Sequence, residues 1–282
     1  MKLAISSRSV GDGTINAAIA YCRDLEVDRL VVPFNHVPGF EEKGYLDQDE
    51  LSQVKREIEN AGMTFSAMVT RPHLSMITGD PGGEEYWSHL CTSLEAMGEV
   101  GANVLTIFIT RDRPEDPGEV EAAWERLAGF YRKFMAQAEK CGVKVAIHPA
   151  ARTAERPQRD LVHNYETVSR LMSEVPSPSN GVCMCIGNFW LSAGDEIYDV
   201  IRQLGDKVHN VHIRSTRQGL GETPFWFNTG GPDYRRILQA LEDIRYSGDL
   251  VPEHLPSVTG ENRSETATAW VIGYMRTLMQ YA

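Results

Sequence analysis

Four residues of metal-binding type close four successive apolar runs in the second half of the chain: His148, Cys185, His212 and Glu253. Two of the runs show the pattern best. Val208-His209-Asn210-Val211-His212-Ile213-Arg214 and Asp249-Leu250-Val251-Pro252-Glu253-His254 each read as a buried strand that ends in polar side chains. Between them, Ile237, Leu238, Leu241 and Ile244 recur at helical spacing, so the segment is a strand, a helix and a strand of a parallel sheet. In such sheets the chemistry sits at the carboxyl ends of the strands, which neighbouring strands bring together whatever their separation in sequence. Two imidazoles, a thiol and a carboxylate suit a divalent transition metal such as Mn, Fe, Co, Ni or Zn better than Mg or Ca. Singly, each has a plainer reading. A strand-end histidine is commonly a hydrogen-bonded structural residue, and Cys185 alone is a small core filler. The joint placement at four consecutive strand ends favours a metal. Cys183 lies on the same face as Cys185, because side chains alternate along a strand, but a one-residue spacing is not that of a zinc clip.

The elements that must position these residues repeat along the whole chain. Short apolar runs predict strands at Lys2–Ser6, Arg29–Phe34, Thr64–Thr70, Asn103–Thr110, Val143–His148, Gly181–Ile186, Val208–Ile213 and Asp249–Glu253. None alternates strictly, as expected for strands buried on both faces. Helical patterns fill the gaps: Thr14–Leu25, Asp47–Ala61, Glu84–Val100, Glu119–Cys141, Asn164–Glu174, Gly194–Leu204, Asp233–Tyr246 and Ser264 to about Tyr281. Gly62, Gly101, Gly142, Gly205 and Gly248 stand where helix stops are needed. Eight strands alternating with eight helices predict an α/β fold, a (β/α)8 TIM barrel, as a single domain over 1–282. A doubly wound sheet is the alternative. It lacks its usual mark, since Ser6-Ser7-Arg8-Ser9-Val10-Gly11-Asp12-Gly13 does not have the spacing of a dinucleotide-binding loop.

Composition narrows the partners. The chain has 282 residues, a hydrophobic fraction of 42% and a charged fraction of 24%, those of a globular protein with a sizeable core. A net charge of -11 argues against a nucleic-acid partner, which needs a basic patch. No apolar run approaches a membrane span, and Met1-Lys2-Leu3-Ala4-Ile5 reads as a first strand and not as a signal peptide. Five scattered cysteines (Cys22, Cys91, Cys141, Cys183 and Cys185) give no disulfide framework, so a cytoplasmic setting is expected. Several loops at the expected site face carry polar or basic residues: Asn35-His36-Val37-Pro38-Gly39, Arg71-Pro72-His73-Leu74, Arg111-Asp112-Arg113 and Pro149 to His163. The loop Gly219 to Pro232 holds Phe225-Trp226-Phe227, too apolar for a free turn, and suits a lid or a contact within a homo-oligomer.

Val145-Ala146-Ile147-His148-Pro149, Cys185-Ile186-Gly187, Val211-His212-Ile213-Arg214-Ser215 and Pro252-Glu253-His254 together resemble the successive motifs of mannonate dehydratases. That family lies in the wider xylose-isomerase-like group of sugar isomerases and epimerases. The resemblance implies that His148, Cys185, His212 and Glu253 hold a divalent metal, manganese being usual. Glu253 stands where the family has an aspartate. His254 matches the adjacent histidine that the family uses for proton transfer. The family's catalytic tyrosine has no clear counterpart, with Asn262-Arg263-Ser264 in its place, and the chain is shorter than the usual dehydratase.

The implied reaction is dehydration of a sugar acid, a mannonate-like hexonate. The proton next to the carboxylate leaves, the charge is accepted as an enediolate that a metal stabilises, and the neighbouring hydroxyl departs. His254 is suited to move protons near neutral pH. Arg214 with Arg71 or Arg111 would clamp the substrate carboxylate, and Asn35 is a further substrate-binding candidate. Isomerase or epimerase chemistry starts from the same enediolate. A barrel that binds a sugar without turning it over is the non-enzymatic alternative, against which the proton-transfer residue His254 speaks.

Overall fold

A computed structural model describes residues 1–10, 13–108, 114, 116–150, 160–217, 221–222, 230–255, 258–259 and 263–280. Its strands are β1 (Lys2–Leu3), β2 (Ile5–Ser6), β3 (Arg29–Pro33), β4 (Thr64–Thr70), β5 (Val104–Phe108), β6 (Lys144–His148), β7 (Asn180–Cys185), β8 (Val208–Ile213), β9 (Thr216–Arg217), β10 (Gly221–Glu222) and β11 (Asp249–Pro252). The main sheet runs β1-β11-β8-β7-β6-β5-β4-β3-β2, with every pairing parallel. Its two edges, β1 and β2, are the halves of one strand interrupted at Ala4. The first half pairs with β11 and the second with β3, so the sheet closes on itself as the expected TIM barrel. Ala4 still donates its N–H to Leu250 O at 3.1 Å, which carries the closure across the break.

The helices are α1 (Ile15–Asp24), α2 (Phe40–Lys43), α3 (Gln48–Asn60), α4 (Ser75–Thr78), α5 (Gly83–Val100), α6 (Pro117–Lys140), α7 (Tyr165–Glu174), α8 (Ile186–Ala193), α9 (Ile197–Leu204), α10 (Tyr234–Asp243) and α11 (Arg263–Gln280). Their starts are chemically marked. Thr14 accepts from Ala17 N, Asp47 from Asp49 N and Glu50 N, and Asp233 from Arg235 N and Arg236 N, each satisfying first-turn donors that have no partner inside the helix. Asn164 and Thr167 form a reciprocal capping box at α7. Gly101 ends α5 at φ 72, a left-handed backbone that glycine adopts without a Cβ penalty. Gly248 does not act this way. The left-handed residue after α10 is Arg245 at φ 57, and Gly248 instead makes room for Tyr246, whose Oη would lie 2.5 Å from an added Cβ.

Two further differences from the sequence reading bear on the site. The strand expected to reach Ile186 ends at Cys185, which caps a helix not anticipated, α8. Ile186, Phe189 and Trp190 bury one helical face there, a run too short to stand out beside the strand before it. The helix expected over Gly194–Leu204 begins at Ile197, after a short 3-10 turn.

The cores are layered as a barrel requires. The large apolar cluster lies between strands and helices, and a small one of Ala4, Val31, Ala67 and Val251 fills the barrel interior. At the amino end of the strands Asp249 bonds to Arg29 and Ser66, a structural cluster at the face opposite the site.

Candidate functional site

Register decides which side chains meet inside the barrel. Asn210 and Thr106 hydrogen-bond at 2.8 Å between β8 and β5, which are not neighbours in the sheet, so both point inward. Alternation then turns Phe108 and His212 inward one layer higher. Cys183 pairs with Asn210, Cys185 with His212, and Phe108 with His148. Two inner layers result: Phe108, His148, Cys185 and His212 above, Thr106, Cys183 and Asn210 below.

Glu253 follows β11 directly, its N–H donating to Ile213 O at 2.9 Å. One oxygen, Oε2, lies 3.3 Å from His148 Nε2, 3.3 Å from His212 Nδ1 and 3.6 Å from Cys185 Sγ. A tetrahedral ion with donor bonds of about 2.0–2.3 Å has donor–donor edges of roughly 3.3–3.8 Å, so each of these three separations has the length of a ligand–ligand edge at one metal. Two further observations support that fit. His148, Cys185 and Glu253 each offer a donor atom, all within 4.8 Å of one another, and so do His148, Cys183 and His212. His148 Nδ1 and both ring nitrogens of His212 are buried without a hydrogen bond, His212 Nδ1 being close to Glu253 but not aligned with it. Buried polar atoms normally find partners, and each neutral imidazole has one unprotonated nitrogen whose lone pair can go to a cation.

Burial sets the protonation states. It pushes the His148 imidazole down, against the pull of Glu253. Burial works to raise the Glu253 carboxyl, but His212 and His148 facing it outweigh this and hold it well below the usual carboxylate range. The Cys185 thiol is pushed up to about 12 by burial, with Glu253 adding and Arg214 opposing. A metal that takes this sulfur must therefore expel its proton, which makes binding pH-dependent.

Arg214 is buried beside the donors, its Nη1 3.9 Å from Glu253 Oε2 and 4.0 Å from Cys185 Sγ. Tyr234 Oη donates to its carbonyl at 2.5 Å. Its stem crosses Gly187, where an added Cβ would lie 2.5 Å from Arg214 Cγ and 2.7 Å from Thr216 Cγ2. The glycine of the Cys185-Ile186-Gly187 run is thus required by the arginine.

A cavity of about 290 Å³ opens beside the donors, bordered by Ser6, Arg8, Ser9, Arg71, His212, Glu253 and His254 over apolar Val31, Val69, Phe108 and Val251. The size suits a small molecule. His254 has a left-handed backbone, φ 48, uncommon for a residue with a Cβ. That turn lets adjacent Glu253 and His254 border one cavity, where an extended strand would point them apart. His254 Nε2 lies 3.9 Å from Glu253 Oε1, and the ring is half exposed.

Of the residues singled out from sequence, His148, Cys185, His212, Glu253, His254 and Arg214 meet at this place, and Arg71 borders the cavity with its guanidinium 4.8 Å over the Phe108 ring. Arg214 faces the donors and is not among the residues lining the cavity. Asn35 is exposed in the 3-10 turn after β3 and does not line it either. Arg111, Phe225, Trp226, Phe227, Pro256 and Asn262, with most of the loop from Pro149 to His163, lie outside the described residues. Sequence reasoning passed over Arg8, Ser9 and Phe108. Arg8 had a signal: it follows the first strand, so the strand-end rule applied to Ser6-Ser7-Arg8-Ser9 would have found it. Phe108 had none, being one apolar residue among many until its ring is seen 4.3 Å from that of His148, tilted by 34°.

Residues 19–277 match the family model described as xylose isomerase-like TIM barrel. A curated mannonate dehydratase of Thermotoga neapolitana is 29% identical over 154 residues, covering 50% of this chain and 41% of the relative, so the chain matches less than half of that relative's length. The crystal structure of mannonate dehydratase from Streptococcus suis serotype2 superposes with a TM-score of 0.77 at 18% identity, over 100% of this chain and 94% of the other. That of D-psicose 3-epimerase with D-tagatose from Clostridium cellulolyticum H10 superposes with 0.74 at 17%, over 99% of each. At these identities the two structures speak to the fold.

Proposed function

The chain belongs to the xylose isomerase-like TIM barrel family, and on that premise we propose that it is a metal-dependent lyase that dehydrates a sugar acid of the mannonate type. The observation that carries the reading is the convergence of His148, Cys185 and His212 on Glu253 Oε2 at 3.3–3.6 Å, next to a small cavity with a cationic rim. These four residues hold the ion, manganese by resemblance, with Fe, Co, Ni or Zn as alternatives. When bound, a divalent ion supplies a Lewis acid for the oxygens of substrate carboxylate and hydroxyl. Arg71 and Arg8 at the cavity draw in the anionic end of the substrate. Arg214, held against Glu253 and Cys185, offsets the negative charge of the donor set. His254, at the cavity edge, takes or delivers the proton, and Phe108 with the valines of the floor keeps water from the reacting carbons. Residues 1–282 act in this reading as one barrel domain. Free cysteines throughout fit a cytoplasmic setting, and among the described residues no helix is long and apolar enough to cross a membrane.

The test is turnover of a panel of hexonates and ketoses by chelator-treated protein, before and after adding Mn²⁺, with metal content measured in parallel. We expect metal-restored loss of water from a hexonate. Turnover of ketoses alone would reassign the chain to isomerase or epimerase chemistry, for which the epimerase likeness is a fold precedent. Binding without turnover would make it a sugar-binding barrel, and failure of any divalent metal to bind would remove the reading.

A further inference from the structure

We propose that the barrel holds a second, inward metal position, made by His148, Cys183 and His212, which takes a soft ion of the Zn²⁺ or Cd²⁺ class. The inference extends the reading above, since it shares His148 and His212 with the catalytic ion. Its basis is a second donor group one layer below the first. A donor atom from each of His148, Cys183 and His212 lies within 4.8 Å of the others, and the three residues are 4%, 0% and 4% exposed. Glu253 and Cys185 stand on the upper side of the same imidazoles.

Cys183 does not behave as a core cysteine. Cys22 packs into the large apolar cluster, whereas Cys183 joins neither that cluster nor the one inside the barrel. Its layer includes polar Asn210 and Thr106, which bond to each other. Above it are His148 Nδ1 and both nitrogens of His212, buried and without hydrogen bonds. Each neutral imidazole carries one lone pair, on whichever nitrogen has no proton, so the two rings can offer a cation two nitrogens. With the sulfur beside them they form a nitrogen and sulfur donor set without oxygen.

Ligand softness separates the two positions. The upper group includes a carboxylate oxygen and accepts a harder ion such as Mn²⁺, while two imidazoles and a thiolate select a softer one. Binding below removes the proton of the Cys183 thiol to solvent. Because both positions draw on His148, only one can be filled, and a soft ion below displaces a harder ion above.

The experiment uses the metal-free full chain and Cd²⁺ as probe, read by thiolate-to-cadmium ultraviolet absorbance and by release of Mn²⁺, whose free form is counted by electron paramagnetic resonance. Cys185→Ser, which leaves Cys183 as the only sulfur at the site, should keep a cadmium–thiolate band. Cys183→Ser added to it should abolish the band and weaken cadmium by more than the roughly 10–100-fold that losing an outer-sphere partner costs. Cys183→Ala in the otherwise intact chain should weaken cadmium binding and its displacement of Mn²⁺, and leave Mn²⁺ affinity unchanged. Circular dichroism melting shows each variant folded. A folded Cys185→Ser protein without the band overturns the proposal. So does a Cys183→Ala protein that binds cadmium as tightly as the parent and releases Mn²⁺ as readily, a measurement that stands if Cys185→Ser does not fold. Should the parent chain take no Mn²⁺ while Cys185→Ser shows the band, the dehydratase reading fails and the inward position stands.

Discussion

Glu253 and His254 are adjacent in sequence, the proposed function gives them separate jobs, and the backbone is compatible with this. Glu253 points at the imidazoles, while the left-handed turn at His254 swings its ring to the cavity edge. The two should therefore fail differently. Glu253→Ala should lose metal and turnover together, because it removes the oxygen on which the other donors converge. His254→Asn keeps a residue that tolerates the left-handed region. It should retain metal and fold and lose turnover by about 10²–10⁴-fold, the usual contribution of an acid/base group. Metal content and kcat measured on the same preparations decide it. A metal-replete, fully active His254→Asn enzyme would take the histidine out of the mechanism.

Within β8 the two histidines serve opposite ends. His212 faces the barrel interior, while His209 faces outward and donates from Nδ1 to Val145 O at 3.0 Å. Its ring lies directly on Gly181, where an added Cβ would be 2.3 Å from Nδ1. Burial lowers the His209 imidazole to about 4 from its ordinary value of 6.5. The unfolded chain accordingly takes up a proton near pH 6.5 that the folded chain refuses until about pH 4. Stability from this residue is complete above pH 6.5 and declines as pH falls towards 4, by about 3 kcal/mol in total. His209→Asn should start lower in stability but lose less between those pH values, since Asn has no proton to gain. Denaturant melts of both proteins across that range check the slope, and parallel curves would show that other groups dominate.

At the scale of the whole molecule, the barrel closes through a strand of two short halves. Ala4, at their junction, is fully buried with Val31, Ala67 and Val251 inside the barrel. The interior is close-packed, so there is no room for a longer side chain. Ala4→Leu should cost about 1–3 kcal/mol through overpacking and lower Tm by several degrees. The strained layer lies below the cavity floor formed partly by Val31 and Val251. Ligand affinity should drop along with thermal stability, and an unchanged Tm would mean that the closure is looser than its packing indicates.

The local sequence determined the alternation of strands and helices, and with it the barrel. Both follow from short-range physics: apolar runs buried on two faces, capping residues such as Asn164 and Asp233, and glycine stops such as Gly101. It also determined which donors stand at strand ends, because strand ends can be read from where apolar runs stop. Tertiary structure alone decided how these donors meet. Whether Cys183 shares a layer with Asn210, and Cys185 with His212, depends on the register of β7 against β8, which contains an irregularity after Val182. A one-residue change in pairing turns every side chain to the other face. The same holds for Arg8 and Phe108, whose place at the site comes from closing the sheet, and for Gly187, whose missing side chain has meaning only once Arg214 lies across it.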